Sequence, residues 1–101
     1  MQLVYFETIR ADHAQDDVHA AVVAEMRSLA ESIDGFIRWR DVDDGLLYWG
    51  VAMFETEAGA LEWRDHPDHA RINSEQSRGQ LYTAFQVLAF EGVRANSYGN
   101  D

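Results

Sequence analysis

The chain contains no cysteine, and its eight basic side chains are all arginines. Without thiols there are no disulfides, no thiolate nucleophile and no thiolate metal site. One proline and seven glycines leave little material for a linker. No segment approaches the ~20 consecutive apolar residues that a membrane-spanning helix needs. The opening stretch, "MQLVYFETIR", carries neither a basic leader nor a small-residue cleavage site, and a cytoplasmic protein is expected. Positive charge is scarce: eight arginines face 18 acidic residues, for a net charge of −10. Nucleic acid and anionic membranes are repelled by such a chain, and no basic patch offsets the repulsion. The acidity itself is expected to be a solvated surface that keeps the protein soluble.

Against these absences, 47% of the residues are hydrophobic and 12% aromatic, the composition of a folding sequence. At 101 residues, one domain spans 1–101, with a polar tail from about residue 92. Met1 to Arg10 is rich in β-formers and alternates as a strand. Asp12 opens a helix, with Gln15 in capping-box position and Asp16 and Asp17 at the positive helix end. Val18, Val22, Met26, Leu29 and Ile33 form its apolar stripe, and Asp34-Gly35 ends it, glycine taking the left-handed cap. On this helix His13 and His19 fall at or near the polar side. Phe36 to Asp41 predicts a second strand, Asp43-Asp44-Gly45 a hairpin turn, and Leu46 to Glu55 a third strand. Thr56 caps a short helix carrying Leu61 and Trp63. His66 precedes Pro67, which breaks that helix and restarts it towards Gly79. Leu81 to Glu91 predicts the last strand. The order β-α-β-β-α-β is the split pattern of ferredoxin-like α+β folds with an antiparallel sheet.

The third strand is apolar on both faces, with Leu46, Tyr48, Ala52 and Phe54 on one and Leu47, Trp49, Val51 and Met53 on the other. The fourth follows suit, with Tyr82, Ala84, Leu88 and Phe90 set against Leu81, Phe85, Val87 and Ala89. An antiparallel sheet wetted on one side alternates cleanly, and this one does not. Two helical segments cover one face only. The other face is expected to pack on a second copy of the chain in a two-fold homodimer.

The stretches "IDGFIRWRDVDDGLLYWGVAMFETEAGALEWRDHPDH" and "QSRGQLYTAFQVLAFEGVR" resemble the antibiotic biosynthesis monooxygenase domain family. The likeness lies in a Gly-Phe opening of strand two, a short acidic hairpin and a Thr-Glu-Ala helix with Leu and Trp-Arg. His-Pro-Asp-His, a Gln-x-x-Gly helix end at Gln76 and Gly79, and the last strand complete it. The resemblance covers nearly the whole chain and implies a dimeric α+β barrel. It also implies a range of activities, from cofactor-free oxygenation of phenolic or quinol-type molecules to haem degradation. The haem-degrading branch pairs a helix tryptophan, here Trp63, with a downstream iron-ligating histidine and a first-strand asparagine. In this chain the ligand position falls near Ile72 or Asn73, and the strand offers Glu7 or Thr8. The polyketide-oxidising branch has an asparagine one turn before the tryptophan, where Gly59 stands here. The segment from His69 to Gly79 is about a turn longer than in the family.

The stretch "ALEWRDHPDHAR" concentrates the chemistry. His66 and His69 are three apart with Pro67 between them, whereas a helical zinc pair sits four apart with an acid nearby. No metal is expected, and His66 reads as a helix cap. From His69, Asn73 and Gln76 follow at four- and three-residue steps, on a face that looks either into the fold or out to solvent. If it looks inward, His69 is a base suited to neutral pH, and Trp63 stands beside it as the second catalytic candidate. Trp39 and Tyr82 are candidate walls of a substrate pocket. Arg38 either pairs with a carboxylate across the dimer or binds an anionic substrate oxygen. The expected function is a small monooxygenase without metal or flavin, acting on a small aromatic substrate with O2. A non-catalytic ligand-binding dimer of the same fold is the alternative, with haem binding as a third reading.

Overall fold

The computed structural model describes residues 1–79 and 81–99, with the side chains of 75–79 outside the description. Its elements are β1 (Gln2–Arg10), α1 (Asp16–Glu31), β2 (Phe36–Asp44), β3 (Leu47–Phe54), α2 (Glu57–Asp65), α3 (Pro67–Gly79) and β4 (Tyr82–Glu91). The four strands form one antiparallel sheet in the order β2-β3-β1-β4. This is the ferredoxin-like βαββαβ topology, its second helix split in two at His66-Pro67. Among the described residues no helix is long and apolar enough to cross a membrane.

The helices lie on one face of the sheet, and the core forms between the two layers. Val4 on β1, Trp39 on β2, Ala52 and Phe54 on β3 meet Met26 and Ala30 of α1, Ala60 and Trp63 of α2, and Ile72 of α3. Strand alternation sends Leu47, Trp49, Val51 and Met53 to the opposite face, as the two-sided pattern of β3 predicts. On that outer face Ile9, Val42, Trp49, Leu88 and Phe90 are between 39% and 51% exposed.

Several local expectations shift. Asp12 does not open α1: its carboxylate accepts from the Ala14 amide in a tight turn at 2.8 Å, and the helix begins at Asp16. Asp16 and Asp17 do occupy the first turn. The helix ends at Glu31, three residues before the expected stop. Gly35 takes a positive φ of 87°, but as the corner leading into β2. The buried stripe of α1 runs through His19, Met26 and Ala30, with Val18 45% exposed. The hairpin turns at Gly45 and Leu46, with Asp44 opposite Leu47 as the last strand pair. Between Ile9 and Arg10 the β1–β4 register slips. One extra β4 residue there puts Tyr82 on the helix side with Phe85, Val87 and Ala89, not with Leu88 and Phe90 as expected. Thr56 caps α2, its hydroxyl accepting from the Gly59 amide at 3.2 Å.

Candidate functional site

A cavity of about 500 Å³ opens between the helices and the inner face of the sheet. Its size falls within the range of small-molecule pockets, and its lining is largely apolar with a few polar groups. Trp39, Tyr48 and Tyr82 form part of the floor, and Val22, Val23 and Met26 of α1 part of the roof. α2 and α3 contribute Trp63, His69 and Asn73.

Trp63 is held rigidly. Its indole N–H donates to the Met26 carbonyl at 3.1 Å, and its ring stands edge-on to Trp39 with centroids 6.0 Å apart. With its donor committed to α1, Trp63 presents only its ring to the cavity. His69 packs edge-on against that ring at 4.7 Å, and its Nδ1 is buried without a hydrogen-bond partner among the described residues. Burial lowers the His69 pKa, helped by nearby His66 and opposed by the Trp63 backbone and Asp65. At neutral pH the imidazole is therefore uncharged and able to accept a proton. His66 stays outside this group: its Nδ1 accepts from the Asp68 amide at 3.1 Å and caps α3.

Of the residues singled out from the sequence, the fold brings Trp63, His69, Asn73, Trp39 and Tyr82 to one cavity. The Gln76 side chain lies outside the described residues. Arg38 is paired with Met53 across the β2–β3 ladder and so stands on the outer face, away from the cavity. Its expected role in binding substrate there is corrected by strand alternation: its neighbour Trp39 takes the inward position. Of the two residues that the sequence resemblance set near an iron-ligand position, Ile72 is a core residue 2% exposed and Asn73 lines the cavity. Among the described residues no group of three or more His, Cys, Asp or Glu side chains is placed to hold a metal.

Sequence reasoning missed His19. It is 2% exposed, with Nδ1 2.8 Å from the Tyr82 hydroxyl and its ring edge-on to Tyr48 and Tyr82. A signal was present: positions 19, 22, 23, 26 and 30 make one helix face, and His19 continues the stripe of Val22, Val23 and Met26. Around it, Arg10 pairs with Asp16 and Asp43, both at 3.1 Å, and donates to the Gly45 carbonyl. The Tyr48 hydroxyl and the Trp39 indole both donate to Asp41, at 2.8 and 3.1 Å. Burial lowers the His19 pKa, with the Arg10 charge adding to the effect and Asp43, Asp16 and Asp41 opposing it. Burial raises the Tyr48 phenol, and Asp41 raises it further. Tyr82 is pushed up to about 12, again mainly by burial.

The layered sheet and the helices packed on it define a ferredoxin-like protein with an internal cavity. The fold is that of the antibiotic biosynthesis monooxygenase domains. A candidate antibiotic biosynthesis monooxygenase from Deinococcus radiodurans superposes with a TM-score of 0.83 at 10% identity, covering 99% of this chain and 100% of that one. SnoaB, a cofactor-independent oxygenase from Streptomyces nogalater, matches with a TM-score of 0.68 at 15% identity over 93% of both chains. A dimeric ferredoxin-like protein of unknown function from Thermobifida fusca matches with a TM-score of 0.66 at 18% identity, covering 89% and 90%. No family model and no curated protein sequence matches the chain.

Proposed function

We propose that the protein is a small oxygenase that oxidises an aromatic or quinol-type molecule with O2, using no cofactor, in the cavity between helices and sheet. The observation that carries this reading is the cavity itself: largely apolar, roofed by a fixed indole, with an uncharged imidazole in its wall. The shared fold with a cofactor-independent oxygenase supports it.

His69 is the base. It takes a proton from an activated C–H, and the resulting anion is electron-rich enough to reduce O2 directly. Apolar walls exclude water and leave the anion poorly solvated, which favours electron transfer over reprotonation. With an anthrone-type substrate one oxygen atom becomes the new carbonyl. The other leaves as water with the two hydrogens of the methylene carbon. Trp63, Trp39 and Tyr82 bound the aromatic ring, and Asn73 serves as a polar contact on α3.

The protein works as a homodimer in this reading. The outer sheet face carries adjoining rows of Val51, Tyr5 and Leu88, and of Met53, Leu3 and Phe90. A second copy packed sheet to sheet covers them; that a Thermobifida fusca protein of the same fold is dimeric supports a dimer.

Oxygen consumption with anthrone- and hydroquinone-type compounds tests the activity. His69→Ala should lower the rate roughly a hundredfold, the usual contribution of a positioned base. Rates equal to the enzyme-free blank across such a panel remove the oxygenase reading. Binding of the same compounds without oxygen uptake would instead make the cavity a non-catalytic ligand site.

A further inference from the structure

His19 stands between two cavities. The large one reaches Tyr82. A smaller one, of about 210 Å³, is lined by His19 together with Asp41, Asp43 and Tyr48. Nδ1 of His19 meets the Tyr82 hydroxyl at 2.8 Å, whereas Nε2 is buried without a hydrogen-bond partner. The nearest carboxylate oxygen to Nε2, on Asp43, is 3.8 Å away, too far for a hydrogen bond. A histidine kept only for packing would have both nitrogens satisfied or be replaced by an apolar side chain. This one has one nitrogen on a phenol that lines the large cavity, and its side chain lies at the edge of the small one.

We propose that Tyr82 and His19 form a proton path from the large cavity to the small one, with Tyr82 touching the substrate hydroxyl and His19 acting through it. The proton of a hydroxyl held in the large cavity moves to the Tyr82 oxygen. In the same step the Tyr82 proton moves to Nδ1 of His19, making an imidazolium. The substrate O–H bond breaks, a new phenol O–H forms, the old one breaks and an Nδ1–H bond forms. No electrons change hands. Nε2 keeps its proton while the anion stays bound and gives it up to the small cavity, beside Asp43, once the anion is consumed. A high pKa suits Tyr82 to this role, since it stays a phenol and passes the proton on without holding a charge. The groups facing His19 are Arg10 on β1, Asp16 on α1, Asp41 and Asp43 on β2, Tyr48 on β3 and Tyr82 on β4. The carboxylates stabilise the transient imidazolium and Arg10 hurries its discharge.

The path rests on the reading of the large cavity as a site for hydroxylated aromatics, and its test separates the two. para-Nitrophenol is the probe, because its phenolate has a visible band. Added to the dimer near neutral pH, it should bind as phenolate while NMR of the histidine nitrogens shows His19 becoming imidazolium, with no proton released to buffer. Tyr82→Phe keeps the ring but breaks the path. It should leave bound phenol un-ionised, with a phenolate-to-phenol ratio lower by about tenfold, the equivalent of one pKa unit. His19→Gln should do the same, and His69→Gln should leave the His19 signal intact. A bound neutral phenol beside a neutral His19 overturns the path, and so does ionisation unaffected by Tyr82→Phe. So does imidazolium forming at His69 instead. Absence of any binding overturns the cavity reading, and the path with it. The wild-type spectra decide the matter even if a variant folds poorly.

Discussion

His19 and His69 are both buried, and burial holds both imidazoles below the ordinary value of 6.5. Their effect on stability follows from where protons bind. Between the folded pKa and 6.5 the unfolded chain takes up protons that the folded chain refuses, so acid favours unfolding. The contribution is fully present above pH 6.5 and is lost as pH falls towards the folded values. Lowering pH from 6.5 to about 5.5 then costs up to about 1 kcal/mol for each histidine that stays neutral in the fold. His19→Gln removes one of the two. The substitution also loses the contacts of the imidazole with Tyr48 and Tyr82, but that loss is an offset independent of pH. Only the slope reports the titration. Relief of repulsion among the 18 acidic residues also changes stability with pH, equally in both proteins, and cancels in their difference. Urea midpoints measured at fixed protein concentration across this window give the two slopes. The wild-type curve should fall more steeply, by up to about 1 kcal/mol over the unit. Parallel curves for wild type and His19→Gln would falsify the claim that burial keeps His19 uncharged.

Two further perturbations probe the scaffold around the site. Gly50 lies where β2 and β3 pack under Phe6, and a Cβ there would sit 2.6 Å from the Arg40 carbonyl oxygen and 2.8 Å from the Phe6 ring. Because a backbone atom cannot step aside, Gly50→Ala should cost roughly 1–3 kcal/mol in thermal or urea unfolding, and an unchanged midpoint would contradict the packing. Thr56→Ala removes the hydroxyl that accepts from Gly59 and should cost about 1 kcal/mol. Thr56→Ser, which keeps the hydroxyl, should restore most of it.

The strands and the position of the cavity were legible because strong local signals agreed with the tertiary fold. Runs of β-forming residues marked the four strands, and His66-Pro67 marked the break between α2 and α3. Thr56 announced the start of α2. What escaped prediction was set by contacts distant in sequence. The β1–β4 register slip that turns Tyr82 inward depends on how two strands at opposite ends of the chain meet. The start of α1 was misplaced because Asp12 satisfied its carboxylate in a turn two residues on, a choice that leaves the same sequence signature as a cap. Once the stripe was anchored on Val18, His19 fell on the wrong side of the helix. The sheet, through Tyr48 and Tyr82, decides that His19 and not Val18 is buried. Arg38 failed as a cavity residue for the simplest reason, the two-residue period of a strand that already places Trp39 inside.

Phe85 and Val87 point to the cavity side of the sheet yet remain 74% and 58% exposed. One flank of the cavity is thus a greasy threshold, wet while vacant. A flat guest settling on it strips hydration from two surfaces together, so its association carries a pronounced negative heat-capacity change and warms or cools in affinity accordingly.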